Sequence, residues 1–245
     1  MGRPSDDYFV RASGLGDIMK ASRSKKEPFG KVAIASILAS AYQNKHGIYE
    51  EITGKPLEKG IVNEDEALDM LCSTKGWKDC NRKKERMFND YITGEPDLLD
   101  HDKSILADVK NSFTTKSFPV LADTSDLKKH HDGYYYQMQA YMWLSGIKTS
   151  YLAYCLTSFP EHMIVDAIKK RVYYEYALPS NYGKDLVEID TLTEDKIRKQ
   201  MTYDHIPKEK RIVIFKVDYD AELIENVKNR IVEARKIYDT IYESI

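Results

Sequence analysis

Residues 92–112, ITGEPDLLDHDKSILADVKNS, decide how this chain is read. Two apolar runs, Leu98-Leu99 and Ile105-Leu106-Ala107, flank the polar Asp100-His101-Asp102-Lys103, which is the pattern of a β-hairpin. Yet the stretch carries seven charged side chains. With Asp100-His101-Asp102-Lys103 as the turn, Leu99 faces Ser104, Asp97 lies opposite Leu106, and Glu95 lies opposite Asp108. Alternation along the strand puts Leu106, Asp108 and Lys110 on one face and Ala107 and Val109 on the other. Asp97 falls on the face of Asp108, diagonal to it at roughly 7–8 Å, within reach of a bridging ion. Pro96 allows a bulge in the first strand.

Carboxylates gathered on one sheet face repel each other, and burial raises their pKa further. A divalent cation relieves both costs, and an all-oxygen donor set suits Mg²⁺ or Mn²⁺. Lys110 then has a role in orienting water for attack on phosphorus and in offsetting developing charge. The other reading of Asp97 and Lys110 is a surface salt bridge on a solvated sheet face.

The chain has 245 residues, 42% hydrophobic and 31% charged, enough for a sizeable core in a soluble protein. No stretch approaches the roughly 18 consecutive apolar residues of a membrane span, and the N-terminus lacks a signal-peptide pattern. Asp6 stands where a myristoylation signal needs Ser or Thr. Three scattered cysteines, Cys72, Cys80 and Cys155, argue for a reducing, cytoplasmic setting and fall short of the four thiolates of an iron–sulfur cluster. A formal net charge of −2 means that any nucleic-acid surface is a local basic patch. Candidates are Arg23-Ser24-Lys25-Lys26, Arg82-Lys83-Lys84 with Arg86, and Lys128-Lys129-His130-His131.

Periodicity predicts helices over 13–21, 30–46, 62–73, 133–146, 184–200 and 220–243, and strands over 150–157 and 211–217. Residues 86–111 read as a β-meander and 163–177 as a further extended element. Asn63 with Glu66 has the spacing of a capping box. On that helix Glu64 shares a face with Ile61, Leu68 and Leu71, so a carboxylate stands on the core-facing stripe. A helix-dipole role would be served equally by Asp65 or Glu66. The last helix repeats apolar residues at three-and-four spacing from Leu223 to Ile241. The whole reads as one α/β domain over residues 1–245, helices around a central mixed β-sheet, with a helical and strand extension from about 178.

Pro96-Asp97 followed by Asp108-Val109-Lys110 resembles the signature of the PD-(D/E)XK nuclease superfamily. Gly60-x-x-x-Glu64-x-x-Ala67 resembles the helix before the core sheet in its lambda-exonuclease-like (YqaJ-type) viral recombinase branch. Gln137-x-x-x-Tyr141 resembles the Q-x-x-x-Y element of RecB-like nucleases; i and i+4 spacing sets amide and phenol side by side, whereas Gln139 points elsewhere. Arg11-Ala12-Ser13-Gly14, opening a helix, and residues 154–160 (YCLTSFP) match further segments, so the resemblance runs from about residue 11 to 177. It implies a restriction-endonuclease-like core. It also implies Glu64, Asp97, Asp108 and the Val109 carbonyl as ligands of Mg²⁺ (or Mn²⁺), Lys110 as the residue that positions water, and Gln137 and Tyr141 as braces. Arg11 and Ser13 are implied at a terminal 5′-phosphate, although Ser13 also suits a plain N-cap. The activity implied is exonucleolytic degradation of linear double-stranded DNA in phage recombination or DNA processing. Implied partners are a single-strand annealing protein and, as in some relatives, two further copies in a trimer. A nicking or structure-specific endonuclease and a non-catalytic DNA-binding module are the rival readings. No G-x-x-x-x-G-K-[ST] motif is present, so ATP-driven unwinding is not encoded in these residues.

Overall fold

In the computed structural model, which describes residues 4–22, 27–78 and 84–245, the charged hairpin lies at the edge of a four-stranded mixed sheet. In chain order the elements are β1 (Val10–Arg11), α1 (Leu15–Met19), α2 (Lys31–His46), α3 (Lys55–Val62), α4 (Glu64–Lys75), β2 (Met87–Phe88), β3 (Ile92–Gly94), β4 (Leu98–Asp100) and β5 (Ile105–Asn111). They continue with α5 (Leu127–His130), α6 (Asp132–Ser145), β6 (Thr149–Cys155), α7 (Glu161–Tyr176), α8 (Leu186–Met201), β7 (Ile212–Asp218) and α9 (Ala221–Ser244). The main sheet runs β4-β5-β6-β7, with β5 and β6 parallel and the outer pairs antiparallel. A parallel pair needs a crossover, and α6 supplies it.

The hairpin register differs from the expected one by two residues. Leu98 pairs with Ala107, Leu99 with Leu106 and Asp100 with Ile105, so Asp100 belongs to the strand and the turn is residues 101–104. The cause is local: the Asp100 carboxylate accepts the Lys103 N–H at 3.0 Å, and Ser104 takes up a left-handed φ of 53°. Because the slip is even, every side chain keeps its face. Carried one step further, the observed register sets Asp97 directly opposite Asp108, where the expected one had Leu106 opposite Asp97 and Glu95 opposite Asp108.

The two faces of the sheet have separate cores. Leu99, Leu106, Leu152, Tyr154 and Phe215 pack with α1, α2, α6 and α9. Leu98, Ile105, Ala107, Val109, Ala153 and Cys155 pack against Ala67, Leu68 and Leu71 of α4. Asp108 and Lys110 therefore look toward α6, and α4 covers the other side.

Four expectations are corrected. The β-meander over 86–111 is divided between two sheets: β2 and β3 join β1 in a small three-stranded sheet, and the chain leaves it around Pro96, which has no N–H for a ladder. Residues 163–177 are helical, not extended. The run Val172-Tyr173-Tyr174 has strand-like residues, but Tyr173 and Tyr174 are both exposed and only Met163 and Ile164 anchor α7. The capping box is absent, because α3 runs into α4 with Asn63 alone between them and the Asn63 amide bonds elsewhere. Glu66 instead approaches Arg211 at 3.8 Å. Ile61 consequently lies on α3 and is 65% exposed, off the buried face of Leu68 and Leu71.

The C-terminal stretch contributes to the main core. β7 pairs along the whole of β6, and α9 buries Leu223, Ile224, Val227, Ile231 and Ala234. Asp220 caps α9 by accepting the Leu223 N–H at 2.9 Å, worth about 1 kcal/mol. The cluster Lys128-Lys129-His130-His131 is largely structural: His130 stacks on Phe215, and His131 caps α6 and stacks on Tyr134. Arg23-Ser24-Lys25-Lys26, Cys80 and Arg82-Lys83 lie outside the described residues. Cys72 and Cys155 are both buried. Among the described residues no helix is long and apolar enough to cross a membrane.

Candidate active site

Asp108 is 2% exposed on β5, and its Oδ2 lies 2.6 Å from Lys110 Nζ. The contact is a close ion pair, but Oδ2 meets no donor along a hydrogen-bonding direction. Asp97, just before β4, accepts the Val109 N–H at 2.8 Å, which ties it across the hairpin. Burial, then the charge of Asp108, pushes the Asp97 carboxyl up to about 7; the Val109 N–H and Lys110 pull the other way. Burial alone would lower the Lys110 pKa, but the charges of Asp108 and Asp97 outweigh it, so the ammonium is held above the usual lysine range. The Tyr134 ring lies 4.9 Å from Lys110 Nζ on a further side.

Glu64 is the first residue of α4, and its charge is felt at Asp97. Its Oε1 pairs with Lys84 Nζ at 2.6 Å, while Arg86 pairs with Glu95 at 3.4 Å. The segment at 84–86 thus brings two cations to the acids, a role that its reading as a candidate nucleic-acid patch did not foresee. Of the four acids here, Glu64, Glu95 and Asp108 each have a cation; Asp97 has no ion pair among the described residues.

The expected ligand trio is not assembled. Among the described residues no three His, Cys, Asp or Glu side chains stand close enough together to hold a metal. The Glu64 carboxylate is paired with Lys84. The chemistry nonetheless fits a hard divalent cation. The donors are all oxygens, Asp108 Oδ2 is buried and met by the Lys110 ammonium, and Asp97 is raised by burial and then by the charge of Asp108.

Gln137 and Tyr141 are both buried on α6. Gln137 Nε2 donates to Tyr141 Oη at 2.8 Å, and Tyr141 Oη donates to the Glu95 carbonyl at 3.2 Å. Burial, with Asp108 and Asp97 close by, drives the Tyr141 pKa upward, so the phenol remains a neutral donor. Gly94 permits this approach: a Cβ there would stand 2.8 Å from the Tyr141 ring. Gln139 points away, bonding the Asp218 carbonyl and the Asp220 N–H at the start of α9.

Next to Tyr141 opens a cavity of about 190 Å³ lined by Arg11, Ser13, Arg86, Thr93, Glu95 and Tyr141 among others. Arg11 and Ser13 are exposed at its rim. Ser13 is not an N-cap: it sits inside a 3₁₀ turn, Ala12–Gly14, and α1 begins at Leu15 without a side-chain cap.

No family model matches this chain, and no curated protein matches it. Among solved structures, a phage-related exonuclease from Haemophilus somnus 129PT superposes with a TM-score of 0.74 at 25% identity, over 97% of this chain and 96% of that one. An alkaline exonuclease from Laribacter hongkongensis, LHK-Exo, gives 0.61 at 14% identity over 96% of this chain and 90% of its own. The same enzyme in complex with dAMP gives 0.56 at 14% identity. At that identity the Laribacter likeness speaks for the fold alone. Over nearly its whole length the chain shares the fold of these phage-related and alkaline exonucleases, the class of enzyme that the sequence motifs implied.

Proposed function

We propose that this chain is a divalent-metal-dependent exodeoxyribonuclease that degrades linear duplex DNA. The observation that carries the reading is the Asp97–Asp108–Lys110 group, with Asp108 buried and the other two half-buried, set on a fold shared over its length with exonucleases. Asp97, Asp108, the Val109 carbonyl and Glu64 are the groups that would hold Mg²⁺, with Mn²⁺ as a substitute. When bound, the ion supplies positive charge at the scissile phosphate and eases the ionisation of water.

The chain's own residues supply the rest. Lys110 Nζ, fully charged, donates to the attacking water and offsets charge on the phosphoryl oxygens. The new bond joins water oxygen to phosphorus as the bond to the 3′-oxygen breaks; the water's proton passes to solvent, the 3′-oxygen takes one up as a hydroxyl, and the phosphate stays on the 5′ side of the released product. Gln137 and Tyr141 hold the wall of the site through the Glu95 carbonyl. The adjoining cavity presents Arg11, Arg86 and the Ser13 hydroxyl, which suit a terminal 5′-phosphate. The single strand left behind is what an annealing protein would take up.

The test is digestion of linear duplex DNA, 5′-phosphorylated or not, beside a closed circle, with Mg²⁺ or EDTA. Expected is progressive loss of the linear substrate alone, abolished by EDTA. Cutting of the circle would replace this reading with an endonuclease; cleavage in EDTA would remove the metal from it.

A further inference from the structure

We infer that a ring of hydrogen bonds outside the acid cluster, closed through the backbone of the α3–α4 corner, sets where Glu64 stands, and thereby sets how tightly the site holds a divalent cation. The inference rests on Glu64 being a metal ligand, as proposed above.

Asn63 is the single residue between α3 and α4, immediately before Glu64. Its Nδ2 donates to Thr157 Oγ1 at 2.8 Å and to the Ser158 carbonyl at 2.6 Å. Thr157 Oγ1 donates in turn to Asn111 Oδ1 at 2.9 Å. Asn111 Nδ2 donates to the Gly60 carbonyl, in the last turn of α3, at 3.3 Å, and the backbone from Gly60 to Asn63 completes the circuit. Each hydroxyl or amide has one possible polarity in this ring, so the arrangement is directional. Alongside it Lys59 Nζ, fully buried, donates to the Ser112 and Phe113 carbonyls at 2.8 and 3.1 Å.

Three elements meet here. The ring fastens the α3–α4 corner to the end of β5 at Asn111 and to the segment following β6 at Thr157. Asn111 follows Lys110, and Asn63 precedes Glu64. One circuit thus fixes the start of the Glu64 helix relative to the strand that carries Asp108 and Lys110. It also explains why Asn63 does not cap α4: its amide is committed across the corner. Thr157 is fully buried, and Asn63 is 8% exposed, so a broken bond leaves a polar group without water. Outer partners that orient a ligand typically affect metal affinity by 10–100-fold. We therefore treat Asn63, Asn111 and Thr157 as positioning residues.

The experiment is calorimetric titration of the full chain, freed of metal, with Ca²⁺ in the absence of DNA. Thr157→Val removes the hydroxyl and keeps the shape; its expected effect is binding about tenfold weaker, with Thr157→Ser restoring it. Glu64→Gln should weaken binding by itself, and adding Thr157→Val to it should weaken binding no further. Unchanged affinity in Thr157→Val would overturn the inference. The same loss in the Glu64→Gln background would also overturn it, because the ring would then act on the protein generally. If Glu64→Gln alone binds Ca²⁺ as wild type does, the Glu64 assignment falls and this inference with it; Asp97→Asn then shows separately whether the acid-cluster reading stands. Should Thr157→Val not fold, Asn111→Ala breaks the ring at a half-buried position and gives the same comparison.

Discussion

Asp97→Asn should make the metal-free protein more stable at pH 8 while abolishing cleavage. Folding moves the Asp97 carboxyl from its ordinary 3.8 to about 7, chiefly by burial and then by the charge of Asp108. The folded state therefore holds a proton that the unfolded state has released between those values, and stability falls as pH rises through this window. At 1.36 kcal/mol for each pH unit the full cost is about 4 kcal/mol, of which roughly 2–3 kcal/mol develops between pH 5 and pH 8. The asparagine carries no charge to bury and keeps an oxygen to accept the Val109 N–H. It should gain that 2–3 kcal/mol over wild type on going from pH 5 to pH 8, or about 5–10 °C in Tm for a chain of this size. The assay is urea unfolding followed by circular dichroism in EDTA at both pH values. With Mg²⁺ added, wild type should recover stability and the variant should not. A stability difference that is the same at pH 5 and pH 8, or a variant less stable than wild type at pH 8, would refute the account of Asp97 as a desolvated acid beside a like charge.

Lys110→Ala should retain binding to linear duplex, measured by anisotropy with Ca²⁺, while cleavage with Mg²⁺ falls by at least about 100-fold, as expected when a charge that stabilises the transition state is removed. Arg11→Ala should erase any preference for 5′-phosphorylated over hydroxyl ends and leave cleavage of the hydroxyl end unchanged; equal loss on both would place Arg11 elsewhere than at the terminal phosphate. Lys59, fully buried, has its pKa lowered by that burial from 10.5 to about 8. Here the unfolded chain holds the extra proton, so stability rises with pH between about 8 and 10.5. Urea unfolding should therefore show wild type gaining on Lys59→Met by up to roughly 3 kcal/mol from pH 7.5 to pH 10.5. A flat difference would mean that the ammonium is not desolvated.

What was legible in the sequence follows the range of the interactions. The face shared by Asp97, Asp108 and Lys110 survived a wrong register because the error was even, and strand alternation has a period of two. α2, α6 and α9 were readable because their apolar spacing and their ends are local; Gly146, for example, ends α6 in a left-handed conformation. α7 was misread because Val172, Tyr173 and Tyr174 favour strands, whereas burial at Met163 and Ile164 decides the matter from the other end. The Asn63 ring joins residues 46 and 94 positions apart, and Lys84 meets Glu64 across a turn of the fold with no periodic signature. Such pairings leave no trace in spacing.

One local rule was broken conspicuously, and it marks the site. A strand that buries Leu106, Ala107 and Val109 also buries Asp108, with Lys110 folded back upon it. Among the described residues, Lys84, Arg86 and Lys110 pair three of the four neighbouring acids, and Asp97 has no ion pair but accepts the Val109 N–H. A structural salt bridge would call for one acid and one base. An extra half-buried carboxylate, pushed up to about 7 by burial and then by its neighbour's charge, is destabilising in the isolated chain and becomes favourable only when a cation joins it. The same acid that costs the metal-free fold stability is therefore the one whose removal should cost it catalysis, the trade expected where local strain serves function.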